Sequence, residues 1–157
     1  MFEAGTKVVH KTHGVGTIHG IETQNYGAGP QDYYLMKIDA SGLVVRFPCA
    51  AESTAIRKLV NDRQIAGVYD ILASPPKNYS MVWNRRKKEF LEKIGSGSLN
   101  EIAEVYRDLS RLKESKELSF GEKEMLEKAR VRLINEISAA KELTRSEVEN
   151  LLDKALT

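Results

Sequence analysis

The chain has 157 residues, with 24 Lys and Arg against 22 Asp and Glu, a single cysteine and an apolar fraction of 41%. That size suits one medium or two small domains, and the composition is that of a globular chain, not a disordered one. One cysteine excludes an intrachain disulfide, no apolar run approaches the roughly 20 residues of a membrane span, and residues 1–7 lack an export signal, so a cytoplasmic location is expected.

Up to about residue 60 the pattern is that of strands separated by turns. Residues 7–10, 15–21, 33–38 and 43–48 are short and rich in β-branched or aromatic side chains. Between them stand His13-Gly14, the uncharged run Asn25-Tyr26-Gly27-Ala28-Gly29-Pro30, and Ala40-Ser41-Gly42, which are turn chemistries. Four or five such strands predict a small antiparallel barrel or meander over residues 1–58, near the lower size limit for stability on its own.

From residue 61 the pattern turns helical and stays so to residue 157. Asn61 or Asp62 can cap a helix that ends before Ala73-Ser74-Pro75-Pro76. A second helix is predicted over 80–94, burying Phe90, Leu91 and Ile94. Three later starts carry the spacing of a capping box: Ser98 with Glu101, Ser119 with Glu122, and Thr144 with Glu147. Apolar stripes follow each: Leu99, Ile102, Ala103, Tyr106, Leu109 and Leu112; then Leu126, Ala129, Leu133, Ile134 and Ile137; then Val148, Leu151, Leu152, Ala155 and Leu156. Short connections predict a compact bundle of roughly five helices. The fold class is thus α+β, a small β-domain followed by an all-helical domain.

Charge is balanced overall but not locally. Between Asn61 and Gly97 seven cations face four acids, and four of the cations form the run Arg85-Arg86-Lys87-Lys88, two residues after the only tryptophan, Trp83. A flat apolar ring beside cations suits nucleic acid, because cations neutralise phosphates while the ring stacks on or wedges between bases. The competing interpretation packs Trp83 against Pro75-Pro76 and leaves the cations merely solvated. Catalytic patterns are weak. His10, His13 and His19 fall close together without an acid or thiol at matching spacing, so no metal is expected. Cys49 has no base to activate it, Ser98 is better used as a cap than as a nucleophile, and no phosphate-binding loop is present. No enzyme and no cofactor are expected.

These residues resemble the CarD/CdnL family of bacterial RNA polymerase-binding transcription regulators over essentially the whole chain. The resemblance rests on Gly5-Thr6-Lys7-Val8-Val9, Gly14-Val15-Gly16, Ile21-Glu22, Val45-Arg46-Phe47-Pro48, Trp83-Asn84-Arg85-Arg86, the run from Ile102 to Leu109, and Leu118-Ser119-Phe120-Gly121-Glu122-Lys123, in that order. It implies a Tudor/SH3-like β-domain that binds the polymerase β subunit. It also implies a helical domain that contacts promoter DNA at the upstream edge of the transcription bubble. Carried onto this chain, Trp83 becomes a minor-groove wedge, Arg85, Arg86 and Lys88 phosphate contacts, and Lys123 a weaker candidate from a later helix start.

For the partner surface the same resemblance points to Arg46, with Val45 beside it on a candidate edge strand. Gln24 stands where some members of the family carry arginine, so one cationic anchor is missing here. The implied protein is a monomer that contacts DNA with little sequence specificity and stabilises the open promoter complex. An alternative from another class is a protein–protein adaptor that uses the β-domain alone, with the helices as scaffold and Trp83 buried.

Overall fold

The computed structural model of the chain describes residues 2–77 and 83–157, and of Trp83 and Asn84 only the main chain. Two compact units divide it, Met1–Leu59 and Val60–Thr157, each with its own apolar cluster.

The first unit is an antiparallel sheet of five strands: β1 (Lys7–His10), β2 (Gly14–Asn25), β3 (Pro30–Ile38), β4 (Val44–Pro48) and β5 (Ile56–Lys58), in the order β4-β3-β2-β1-β5. Its core is Val8, Ile18, Tyr34, Met36, Ile38, Phe47 and Ile56. Strands β2 and β3 form a long hairpin whose register runs from Gly16 opposite Ile38 to Asn25 opposite Pro30. The turn between them needs Gly27 and Gly29 at φ of 109° and 93°, a region that side chains avoid. A bulge between Ile18 and Gly20 shifts the pairing along β2.

Both hairpin strands extend beyond the stretches expected from the sequence. Their outer halves, Glu22 to Asn25 and Pro30 to Asp32, are polar on both faces and so carry no period-two signal, while main-chain pairing needs none. Three elements leave no periodic trace at all, because they are three or four residues long: a 3₁₀ turn at Cys49–Ala51, the single-turn helix α1 (Glu52–Ala55) and β5. They lead from the end of β4 to the opposite edge of the sheet, where β5 pairs with β1. The phenol of Tyr34 donates to the Glu52 carboxylate and accepts from the main-chain N–H of Phe2.

The second unit holds α2 (Asp62–Ala73), α3 (Trp83–Gly95), α4 (Leu99–Ser115), α5 (Phe120–Lys141) and α6 (Arg145–Leu156). Each of the four helix starts with a described cap behaves as its sequence dictates, with one revision. Ser119 and Glu122 make the full reciprocal box, but at Ser98 and Thr144 only the cap side chain accepts from the third N–H. The other complete box is Asn61 with Gln64. The stripes meet in one core that includes Leu99, Ile102, Ala103, Tyr106, Leu109, Ala129, Leu133, Ile134, Ile137, Val148 and Leu152. Phe90 joins it and Ile94 packs against it, but Leu91, expected to be buried, is 45% exposed. Among the described residues no helix is long and apolar enough to cross a membrane.

Gly16 marks the tightest point of the sheet. A Cβ there would lie 2.6 Å from the Lys37 carbonyl oxygen and 2.6 Å from the Met36 Cε. The methionine end can shift, but the carbonyl belongs to the ladder and cannot. Gly16→Ala should therefore cost roughly 1–3 kcal/mol through overpacking. A lower midpoint of thermal unfolding would show it, and an unchanged midpoint would mean that β2 and β3 slide apart freely.

Candidate nucleic-acid and partner interfaces

Helix α3 begins at Trp83, whose side chain lies outside the described residues. The four cations that follow do not act as one block. Arg85, Lys87 and Lys88 are exposed, whereas the Arg86 side chain is only 16% exposed, with Nη2 3.2 Å from Oε2 of Glu122 on α5. Two turns further on, Lys93 is also turned inward, 3.0 Å from Glu104 of α4. The inner face of α3 therefore reads Arg86, Phe90, Lys93 and Ile94, four positions at helical spacing. Its two charged members are placed there by acids on the neighbouring helices. This is why Leu91, apolar but one step around the helix, faces out.

Glu122 is the centre of this arrangement. It is 1% exposed, and its carboxylate accepts from the Ser119 N–H at 2.9 Å, lies 3.2 Å from Lys116 and takes Arg86 on the other side. Burial by itself pushes the carboxyl up, but the hydrogen bonds from Ser119 and Lys116 outweigh it and hold the group below its ordinary value of 4.5. Next to it Lys123 points to solvent, with only a long 3.9 Å approach to the exposed Glu117. The start of α5 thus keeps one charge in and one out. Phe120, the first residue of α5, is 82% exposed.

In the first unit β4 is a sheet edge, paired only with β3. Alternation along it sends Val45 and Phe47 toward the core and Val44 and Arg46 outward. Arg46 Nε lies 3.6 Å from Oε1 of Glu22 on β2, and Gln24 Nε2 donates to the same oxygen at 2.5 Å. Arg46 and Gln24 are therefore joined through Glu22. Val45 packs inward and its main chain faces Met36 of β3, so the main-chain groups left for a partner strand are those of Val44 and Arg46.

Residues 2–60 match a family profile described as "CarD-like/TRCF RID domain", and residues 67–153 match one described as "CarD, C-terminal domain". A relative named "Putative transcription factor YdeB", from Bacillus subtilis (strain 168), is 31% identical over 151 residues, covering 96% of this chain and 99% of its own. The chain belongs to the CarD family.

Two acids of this CarD-family chain escaped sequence reasoning. Glu22 could have been suspected, since residues 22 and 24 share a strand face, but its pairing with Arg46 crosses β3 and follows only from register. Glu122 carried a signal for its capping role and none for Arg86, 36 residues away. The remaining candidates form no cluster with one another among the described residues. His10 lies 4.9 Å from His13 and edge-on to Phe47, while His19 is exposed on β2. Cys49 is half-buried against the sheet core, and burial, then Asp32 and Glu52, push its thiol up. Ser98 caps α4.

Because the Glu122 carboxyl is held below 4.5, its contribution to stability is present above that pH and is lost as pH falls through the lower folded value. The groups that face it are Arg86, Lys116 and the Ser119 N–H. Glu122→Gln should cost on the order of 1–3 kcal/mol at neutral pH. The gap from the unaltered protein should close in acid. Parallel melting curves between pH 3 and 7 check this, and a pH-independent gap would place the cost in packing instead of charge.

Proposed function

We propose that this protein is a non-enzymatic transcription regulator of the CarD type. It binds the β subunit of RNA polymerase through residues 1–58 and stabilises the open promoter complex through contacts of residues 61–157 with DNA at the upstream edge of the bubble. Family membership supports the regulatory role. The shared description of residues 2–60 with the module of transcription-repair coupling factors supports a polymerase partner for the β-domain. The observation that carries the DNA half is the outward set on α3: among the described residues, Arg85, Lys87 and Lys88 are exposed and take part in no ion pair. Arg85 and Lys88, three residues apart, share a helix face and serve as phosphate contacts with Lys123. Arg86 stays with Glu122 and supports them from behind. Trp83 is the wedge, and it acts by binding melted DNA more tightly than closed duplex, which needs no chemistry. On this reading the protein is a cytoplasmic monomer with little sequence preference.

Trp83→Ala should leave polymerase binding and folding nearly unchanged while shortening the lifetime of the open complex several-fold or more, since base–aromatic stacking is worth about 1–3 kcal/mol. Decay after competitor challenge measures the lifetime, and melting measures the fold. Collapse of melting with unaltered decay in the folded fraction would make Trp83 a core residue and favour the adaptor alternative.

Arg46→Glu should reduce capture of the isolated β-subunit lobe, with little change in stability, because exposed pairs such as Arg46–Glu22 contribute at most about 1 kcal/mol. Unchanged capture would move the polymerase contact off β4. Without polymerase, DNA binding should be weak, with log affinity falling by about 0.9 per phosphate contact against log salt, near −3 for three contacts. Tight sequence-specific binding would contradict the tethered arrangement.

A further inference from the structure

We propose that Asp108 of α4 and Glu122 of α5 are positioning residues that fasten the chain on both sides of Trp83; the proposal rests on the promoter-binding reading above. Asp108 holds the near side. Its Oδ1 accepts from Arg107 Nε at 2.9 Å and from the main-chain N–H of Lys77 at 3.2 Å. Arg107 also donates to the carbonyl of Ile71, in the last turn of α2, at 3.3 Å. One buried pair on α4 therefore grips both the end of α2 and residue 77. The side chain of Lys77 reaches forward to Glu89 of α3 at 2.6 Å. Glu122 holds the far side, through Arg86 at 3.2 Å. Trp83 stands six residues after the first anchor and three before the second.

The energetics favour placement over stability as the role of these acids. Buried ion pairs are often no more stabilising than apolar side chains of the same volume, because desolvation offsets the attraction. Among the described residues the Asp108–Arg107 pair is not fully satisfied, since the buried Asp108 Oδ2 accepts no hydrogen bond from them. What such a pair supplies is direction, since a carboxylate fixes the donors it holds in a way that packed methyl groups do not. Fixing residues 77 and 86 before DNA arrives removes an entropic cost that would otherwise fall on binding.

The test uses the full-length protein with polymerase and promoter, at a temperature where every variant is folded. Asp108→Asn should speed open-complex decay several-fold and raise amide exchange at Lys77, with β-lobe capture unchanged. Combined with Trp83→Ala it should decay no faster than Trp83→Ala alone, because both act through one contact. The double replacement Arg107→Met with Asp108→Leu should restore melting yet still decay fast. Glu122→Gln should follow the same non-additive pattern with Trp83→Ala. Wild-type decay for Asp108→Asn beside fast decay for Trp83→Ala overturns the positioning role, as does a multiplicative effect in the double mutant or normal decay in the Met/Leu variant. Wild-type decay for Trp83→Ala sinks the promoter reading, and the positioning role with it.

Discussion

A carboxylate with almost no access to water cannot remain charged without partners, and the partners of Glu122 determine how α3 lies on the helical unit. Its capping bond to Ser119 belongs to α5 alone, but the pair with Arg86 draws the first basic turn of α3 onto the start of α5. Once Arg86 is turned in, helical spacing brings Phe90 into the core and Lys93 against Glu104. The same rotation places Arg85, Lys87 and Lys88 outward. The outward cations on which the promoter reading rests are thus a consequence of one inward charge. Removing a single partner from such a pair leaves the other without its counter-charge, which costs more than the intact pair contributes.

The β unit solves a different problem. An open sheet of five strands has two edges, and here one of them, β4, is bounded by exposed Leu43 and Val44 and carries Arg46. An edge of this kind is available to a partner strand, and charge on it resists indiscriminate pairing. Glu22 tempers Arg46 and also engages Gln24, so the three form a single polar set across the face of β2, β3 and β4. Gln24 adds an amide donor to the same acid and no second cation. The polymerase contact proposed for this face therefore depends more heavily on Arg46 and on the β4 main chain.

Much of the fold was legible because it is set locally. The stripes from Leu99, Leu126 and Val148 onward, and the caps at Asn61, Ser98, Ser119 and Thr144, act within a few residues of one another. The strand cores were legible for the same reason, while the polar outer hairpin and the short elements at 49–58 were not, since neither carries a period. Site residues split along the same line. The family resemblance singled out Arg85, Lys88 and Lys123, and the structure shows them exposed; it also singled out Arg86, whose direction depends on a residue 36 positions away.

By itself the sequence determined the change from strands to helices near residue 60, the apolar stripes of α4, α5 and α6, and the family, all from spacing and motif order. Only the tertiary structure decided which cations of the Arg85 to Lys88 run face out, why Leu91 is exposed, and that Glu22 links Arg46 to Gln24. The physical reason is the same each time. A helix or strand specifies which residues share a face, but the face that turns inward is chosen by what lies opposite. For α3 that was not the most apolar face; it was the one whose charges could meet Glu122 and Glu104.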